Sequence, residues 1–374
     1  MEIYLDNAAT TKPCPAAVQA ITEALTDNWG NPSAVHQLGL RAEKAVKHAR
    51  EQVAHTLGCN PEQLFFTSGG TEGDNFAVFS AAQKYHKRGR HIITTAVEHH
   101  AVLRPIQALE AQGFSVTYLP PGPDGTVSPA ELLKALRKDT ILVSVMMVNN
   151  ETGAVNDIAR LSKLTHQKST ALFHTDAVQG FCKVPFRASS LGADIISVSS
   201  HKIQGPKGAG AVYVDKKLHL PPVMYGGGQE KNMRSGTENV PMILGFGAAC
   251  EEASKDLPEK LRRMEQRKQE CLPLLAQQVP EAVILGSHQA PHVISLAIPG
   301  VRSQGLIGCL QEKGVYVSAG SACSRGHRSH VLEAMGVAPE LIDGSIRVST
   351  CFDTTPEDIQ GFVAALKEAV HALT

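Results

Sequence analysis

The chain has 374 residues, with 36 basic and 36 acidic side chains and a formal net charge of zero. No basic block stands out, which argues against nucleic acid as the main partner, and no apolar run is long enough to span a membrane. The length exceeds one ordinary core and points to two domains.

The eight cysteines are scattered and form no C-x-x-C pair. Neither a zinc site nor a disulfide framework is expected, and a reducing cytoplasm is the default. The start, Met1 to Asp6, has no basic segment followed by an apolar one, so no secretory leader is expected.

In chain order, Asp6 to Lys12 reads as a polar turn before the first helix. Ser33 is placed to cap a helix running to about residue 57, stopped by Gly58. A strand over 63–67 leads into Ser68-Gly69-Gly70-Thr71-Glu72 and a helix ending near Gly89. Strand, glycine turn and helix start together form a phosphate-binding geometry, with free backbone N–H groups and the helix dipole aimed at the anion. Alone, the motif is weak and fits a tight turn with a threonine cap better.

Strands then alternate with helices: strand 91–97, helix 101–112, strand 114–119, helix 129–137, strand 141–148, helix 157–167, strand 171–175. Residues 141–148 are apolar except Ser144, as in a parallel strand covered on both faces. The alternation predicts an α/β fold with a large, mostly parallel, helix-covered sheet and a ligand at the strands' carboxyl ends.

The strand exits carry polar groups that a scaffold does not need. They are Glu98-His99-His100, Asn149-Asn150-Glu151, Asp176 to Gln179, and Ser199-Ser200-His201-Lys202. Burial at a strand end lowers a lysine's pKa, and a partly neutral amine attacks carbonyls. The neighbouring hydroxyls and imidazole suit an anion. Lys202 there suggests a Schiff-base lysine beside a phosphate cup, which is what pyridoxal phosphate (PLP) requires. On that stretch alone, a solvated lysine in a surface loop is an equal reading. PLP also wants a carboxylate at its ring nitrogen, a donor at its phenolic oxygen and a flat partner. Asp176, Gln179 and His99 fit by residue type; their spacing does not assign them.

A glycine-rich loop follows at residues 226–228, then Arg234-Ser235-Gly236-Thr237-Glu238-Asn239 and a helix from Val240. Residues 255–258 read as a boundary broken by proline. A long charged helix over 259–278 reads as a solvated face. Strands at 283–285, 293–298, 315–318 and 345–349, with helices at 304–312, 330–335 and 356–373, predict a smaller α+β domain. Residues 15–255 would form the large domain, and 1–14 with 256–374 the small one. The small domain holds Cys323, in S-A-G-S-A-C-S-R-G-H. Small flanking residues leave its thiol accessible, and Arg325 and His327 favour the thiolate. Arg347, in a strand, is expected to pair with a carboxylate of the protein or of a substrate.

The motifs L-D-N-A-A-T-T, S-G-G-T-E, E-H-H-A-V, N-N-E-T-G, D-A-V-Q, S-S-H-K-I-Q-G-P-K-G, R-S-G-T-E-N and G-S-A-C-S occur in this order across nearly the whole chain. The chain thereby resembles cysteine desulfurases of the NifS/IscS type, a branch of the fold-type I, class V aminotransferase-like PLP enzymes. S-A-G-S-A-C resembles the long-loop group.

The resemblance implies that Lys202 carries PLP, His99 stacks on it and moves protons, Asp176 pairs with the ring nitrogen and Gln179 with the phenolic oxygen. It implies that Gly70, Thr71, Ser199, Ser200 and His201 hold the phosphate, joined by Thr237 from a second copy in a homodimer. Asn150 and Arg347 would bind the carboxylate of L-cysteine. Cys323 would take its sulfur as a persulfide and release L-alanine. The sulfur would pass to an acceptor protein in iron–sulfur cluster assembly or tRNA thiolation. No resident metal is implied beyond a transient iron–sulfur cluster at Cys323.

Gly73 stands where the family pattern has a serine, near the phosphate turn, and is expected to weaken that site slightly. Gln204 replaces a commoner aromatic residue or histidine. The span from Cys323 to Arg347 is shorter than usual, and the sequence stops at Thr374 without the tail that docks an iron–sulfur scaffold. A dedicated desulfurase feeding one acceptor is therefore expected. The alternatives are a selenocysteine lyase or other class V lyase, a catalytically idle scaffold of the same fold, and a nucleotide-binding α/β protein. The last lacks G-x-x-x-x-G-K-[ST].

Overall fold

The computed structural model describes residues 2–287, 289–320 and 328–374. The strands are β1 (Ile3–Tyr4), β2 (Leu64–Thr67), β3 (His91–Thr95), β4 (Ser115–Leu119), β5 (Thr140–Ser144), β6 (Leu172–Asp176), β7 (Ile195–Ser199), β8 (Gly210–Val214), β9 (Val283–Leu285), β10 (Val293–Ala297), β11 (Val315–Tyr316) and β12 (Ser345–Ser349).

Seven of them form one sheet in the order β2-β8-β7-β6-β5-β3-β4. The run from β4 to β7 is parallel; β8 pairs antiparallel with β7 and β2. Apolar residues fill both faces because neighbours along a strand point opposite ways. Phe66, Ile93, Val143, Phe173 and Ile196 enter one core, while Phe65, Ile92, Leu142, Leu172 and Ile195 enter another. The expected strand 141–148 is covered on both faces as read, but it ends at Ser144, and residues 145–148 continue outside the sheet.

A third apolar cluster is built on the antiparallel sheet β12-β10-β9 and the parallel pair β1-β11. The helices Ser303–Glu312 and Pro356–Leu373 pack there. Thr355 caps the latter in a reciprocal capping box with Asp358.

Three local expectations are corrected. The helix Gln37–Leu57 is capped by His36, whose ring accepts the Gly39 N–H at 3.3 Å, not by Ser33. Pro258 starts rather than breaks a helix. It sits in the first turn of Leu257–Gln278, where no intrahelical donor is needed. That helix is also not solvated all round, since Met264, Lys268, Cys271 and Leu275 are buried. Lys268 pairs with Glu265 at 2.7 Å.

Candidate active site

The carboxyl ends of β6 and β7, the turn after β3 and the start of the helix Gly70–Tyr85 open into one cavity of about 230 Å³. Lys202 reaches it from the end of β7. Its Nζ donates to the carbonyls of Ala8 and Ala9 at 2.6 and 2.7 Å, so the segment before the first helix forms a wall.

Asp176 ends β6 and its Oδ1 accepts the Val178 N–H at 2.9 Å. Burial, reinforced by the negative charge of Asp74, pushes its pKa up to about 7. A carboxyl this buried strongly favours a cationic group placed against it. Gln179 donates to the Ala8 carbonyl at 2.8 Å, and its Oε1 lies 3.2 Å from Nε2 of His292.

His99 caps the helix His100–Glu110. The Ala101 N–H points at its Nδ1 at 3.1 Å, so the neutral ring carries its proton on Nε2. Burial, then the nearby Lys202 cation, lowers its pKa to about 4. His201 is lowered to about 4 by the same two causes in the same order.

The phosphate-like corner pairs a close-packed glycine with one waiting hydroxyl. A Cβ on Gly70 would fall 2.5 Å from Val178 Cγ2, so only glycine fits this approach. Ser199 is buried and its Oγ finds no hydrogen-bond partner among the described residues. Thr71 and His201 complete this part of the lining.

Arg347 reaches the cavity from β12 and is 1% exposed. It donates to Asp6 Oδ1 at 2.8 Å and to the Asn150 carbonyl at 2.9 Å. Its partner is thus a carboxylate of the protein itself, and its Nε finds no partner among the described residues.

The aminotransferase class-V model matches residues 3–362. A cysteine desulfurase IscS of Dictyoglomus turgidum is 40% identical over 376 residues, spanning 100% of this chain and 95% of that protein. The chain belongs to the aminotransferase class-V family. Among solved structures it is similar to a NifS-like protein, with 36% identity, a TM-score of 0.94 and 100% of both chains covered. It is also similar to SspA in complex with cysteine, with 32% identity, a TM-score of 0.82, and 95% of this chain and 100% of that one covered.

For this class-V member, most residues singled out in the sequence meet in the one cavity: Gly70, Thr71, His99, Asn150, Asp176, Gln179, Ser199, His201, Lys202 and Arg347. Ser200 does not line it; its hydroxyl is buried against Gly205. Thr237 is exposed in a separate cleft with Ser68 and Arg234. Cys323 lies outside the described residues.

Gly73 is also absent from the cavity wall. A Cβ there would sit 3.1 Å from Ser197 Oγ, so its smallness makes room for Ser197. Gln204 instead ties segments together. It donates its backbone N–H to Thr11 Oγ1 at 2.7 Å and its side-chain amide to Asp353.

Sequence reasoning missed Asp6, the Ala8 and Ala9 carbonyls, Asp74 and His292. A signal existed for Asp74, which stands four residues after Gly70 and so shares its helix face. Among the described residues, no group of three His, Cys, Asp or Glu side chains is placed to hold a metal ion, and no helix is long and apolar enough to cross a membrane.

Proposed function

We propose that the chain is a PLP-dependent cysteine desulfurase converting L-cysteine to L-alanine. The observation that carries the reading is the convergence of Lys202, Asp176, Gln179 and His99 on one cavity with Arg347 at its wall. The residues present fit the cofactor. Ser199 offers an unused buried hydroxyl, Gly70 and Thr71 open a helix at the cavity wall, and Asp176 is a buried carboxyl in need of a cation. When bound, PLP would supply the electron sink that makes the substrate Cα–H acidic.

Lys202 Nζ would hold the cofactor's aldehyde carbon. Asp176 would keep the ring nitrogen protonated, and Gln179 would orient the phenolic oxygen. His99 would cover the ring and, being neutral, would take or return a proton at Nε2. Gly70, Thr71, Ser199 and His201 would hold the phosphate. Asn150 and Arg347 would receive the substrate carboxylate, with Asp6 giving way to it.

Cys323 would act as the nucleophile. Its thiolate would attack the substrate sulfur, forming an S–S bond as the Cβ–S bond breaks. The electron pair of the broken bond ends, after protonation, as a Cβ–H bond of alanine. The persulfide on Cys323 would then pass its outer sulfur to an acceptor protein of iron–sulfur assembly or tRNA thiolation.

In this reading residues 15–255 bind the cofactor, and residues 1–14 with 256–374 form the unit carrying Cys323. The exposed position of Thr237 supports a homodimer in which it serves the cavity of the second copy. The free thiols among the described residues accord with a cytoplasmic setting.

The test is turnover. With L-cysteine and a thiol reductant, the purified protein should release alanine and sulfide in equal amounts, and Lys202→Ala should lower the rate by at least about 1000-fold. Turnover of selenocysteine with none of cysteine would instead support the lyase alternative.

A further inference from the structure

We infer that Asp74 is a positioning residue of the cavity, a second acidic group beside Asp176 whose charge sets the basicity of the cofactor held there. The inference rests on the reading of the cavity as a PLP site.

Asp74 faces the cavity from the first turns of the helix Gly70–Tyr85 and is 1% exposed. Its Oδ1 has no hydrogen-bond partner among the described residues. A buried carboxylate oxygen left unpaired is costly, and such atoms call for an explanation.

The surroundings give one. Strand β6 puts His174 and Asp176 on the same face, two residues apart. His174 Nε2 stands 3.5 Å from Asp74 Oδ1, beyond a good hydrogen bond. The imidazole is held by Ser144 Oγ at 2.8 Å and Ser197 Oγ at 3.0 Å. Burial lowers its pKa to about 4, so it supplies no counter-cation at neutral pH.

Burial pushes Asp74 up to about 7, with the Ser197 hydroxyl acting in the opposite sense. Asp74 in turn raises Asp176. The other titratable groups on the cavity wall do not replace Asp74: His99 and His201 are kept neutral, while Lys202 and Arg347 are basic. Behind the wall, Glu98 is fully buried, and burial raises its carboxyl well above the usual range. Gly73 belongs to the same device, since it leaves the space that Ser197 occupies.

The experiment is a pH titration of the visible absorbance of the PLP-loaded protein, for wild type, Asp74→Asn and Ser197→Ala. Loss of the Asp74 charge should lower the pH midpoint of the band change by about half a unit or more, because a negative charge near the cofactor favours its protonated form. Ser197→Ala removes a group that favours ionised Asp74 and should shift the midpoint the same way, by less. If Asp74→Asn does not fold, the Ser197→Ala shift alone decides. A midpoint unchanged in the folded variants overturns the inference while leaving the PLP reading intact. A wild type that takes up no PLP overturns both.

Discussion

His174 shows at the scale of one residue how burial becomes pH dependence. Its pKa is about 4 in the folded protein, chiefly through burial, against an ordinary value of 6.5. Between these values the unfolded chain binds the proton and the folded one does not. The stability tied to the neutral ring is complete above pH 6.5 and is lost as pH falls towards 4. Asp74 and Asp176, raised by burial, act with the opposite sign over an overlapping window, so the total curve hides each contribution. The variant His174→Gln separates them. Its stability deficit relative to wild type should shrink by about 2 kcal/mol between about pH 7 and about pH 5. Urea unfolding at the two pH values measures this, and a constant deficit would mean that the ring titrates normally.

At the scale of elements, the sequence was most legible where period and punctuation agreed. The strand exits carrying His99, Asp176 and Lys202 could be read because buried parallel strands are apolar runs and their ends carry the chemistry. The Thr355-Pro356 helix start and the Gly58 stop were legible because caps are local; Gly58 has φ +76°. The role of Gly73 was not legible, because its neighbour Ser197 lies 124 positions along the chain by residue number and meets it only when the helix Gly70–Tyr85 packs on β7. The structure predicts that Gly73→Ser crowds Ser197 and lowers stability by about 1 kcal/mol, with PLP affinity unchanged within about twofold. Thermal unfolding and a PLP titration check this. Tighter PLP binding in the variant would return Gly73 to the phosphate turn.

At the scale of the whole molecule, the segment before the first helix joins the seven-stranded sheet to β12. Asp6 bridges to Ser349 on β12 and pairs with Arg347, while Ala8 and Ala9 receive Lys202 from the large sheet. Phe352 and Met264 enter the large core from the later part of the chain. Such contacts between distant positions leave no periodic trace, which is why Asp6 to Lys12 read only as a turn. Asp6→Ala should leave the buried Arg347 guanidinium short of its counter-charge and lower stability by about 3 kcal/mol. A urea midpoint equal to wild type would show that the Asn150 carbonyl alone suffices.

The central claim is that sulfur leaves L-cysteine by way of Cys323. The most direct measurement is mass spectrometry of the protein after L-cysteine without reductant, together with the rate of alanine formation, for wild type and Cys323→Ala. One added sulfur is expected on the peptide carrying Cys323 in the wild type, and neither added sulfur nor alanine in the variant. Alanine formed by Cys323→Ala at the wild-type rate would contradict the claim.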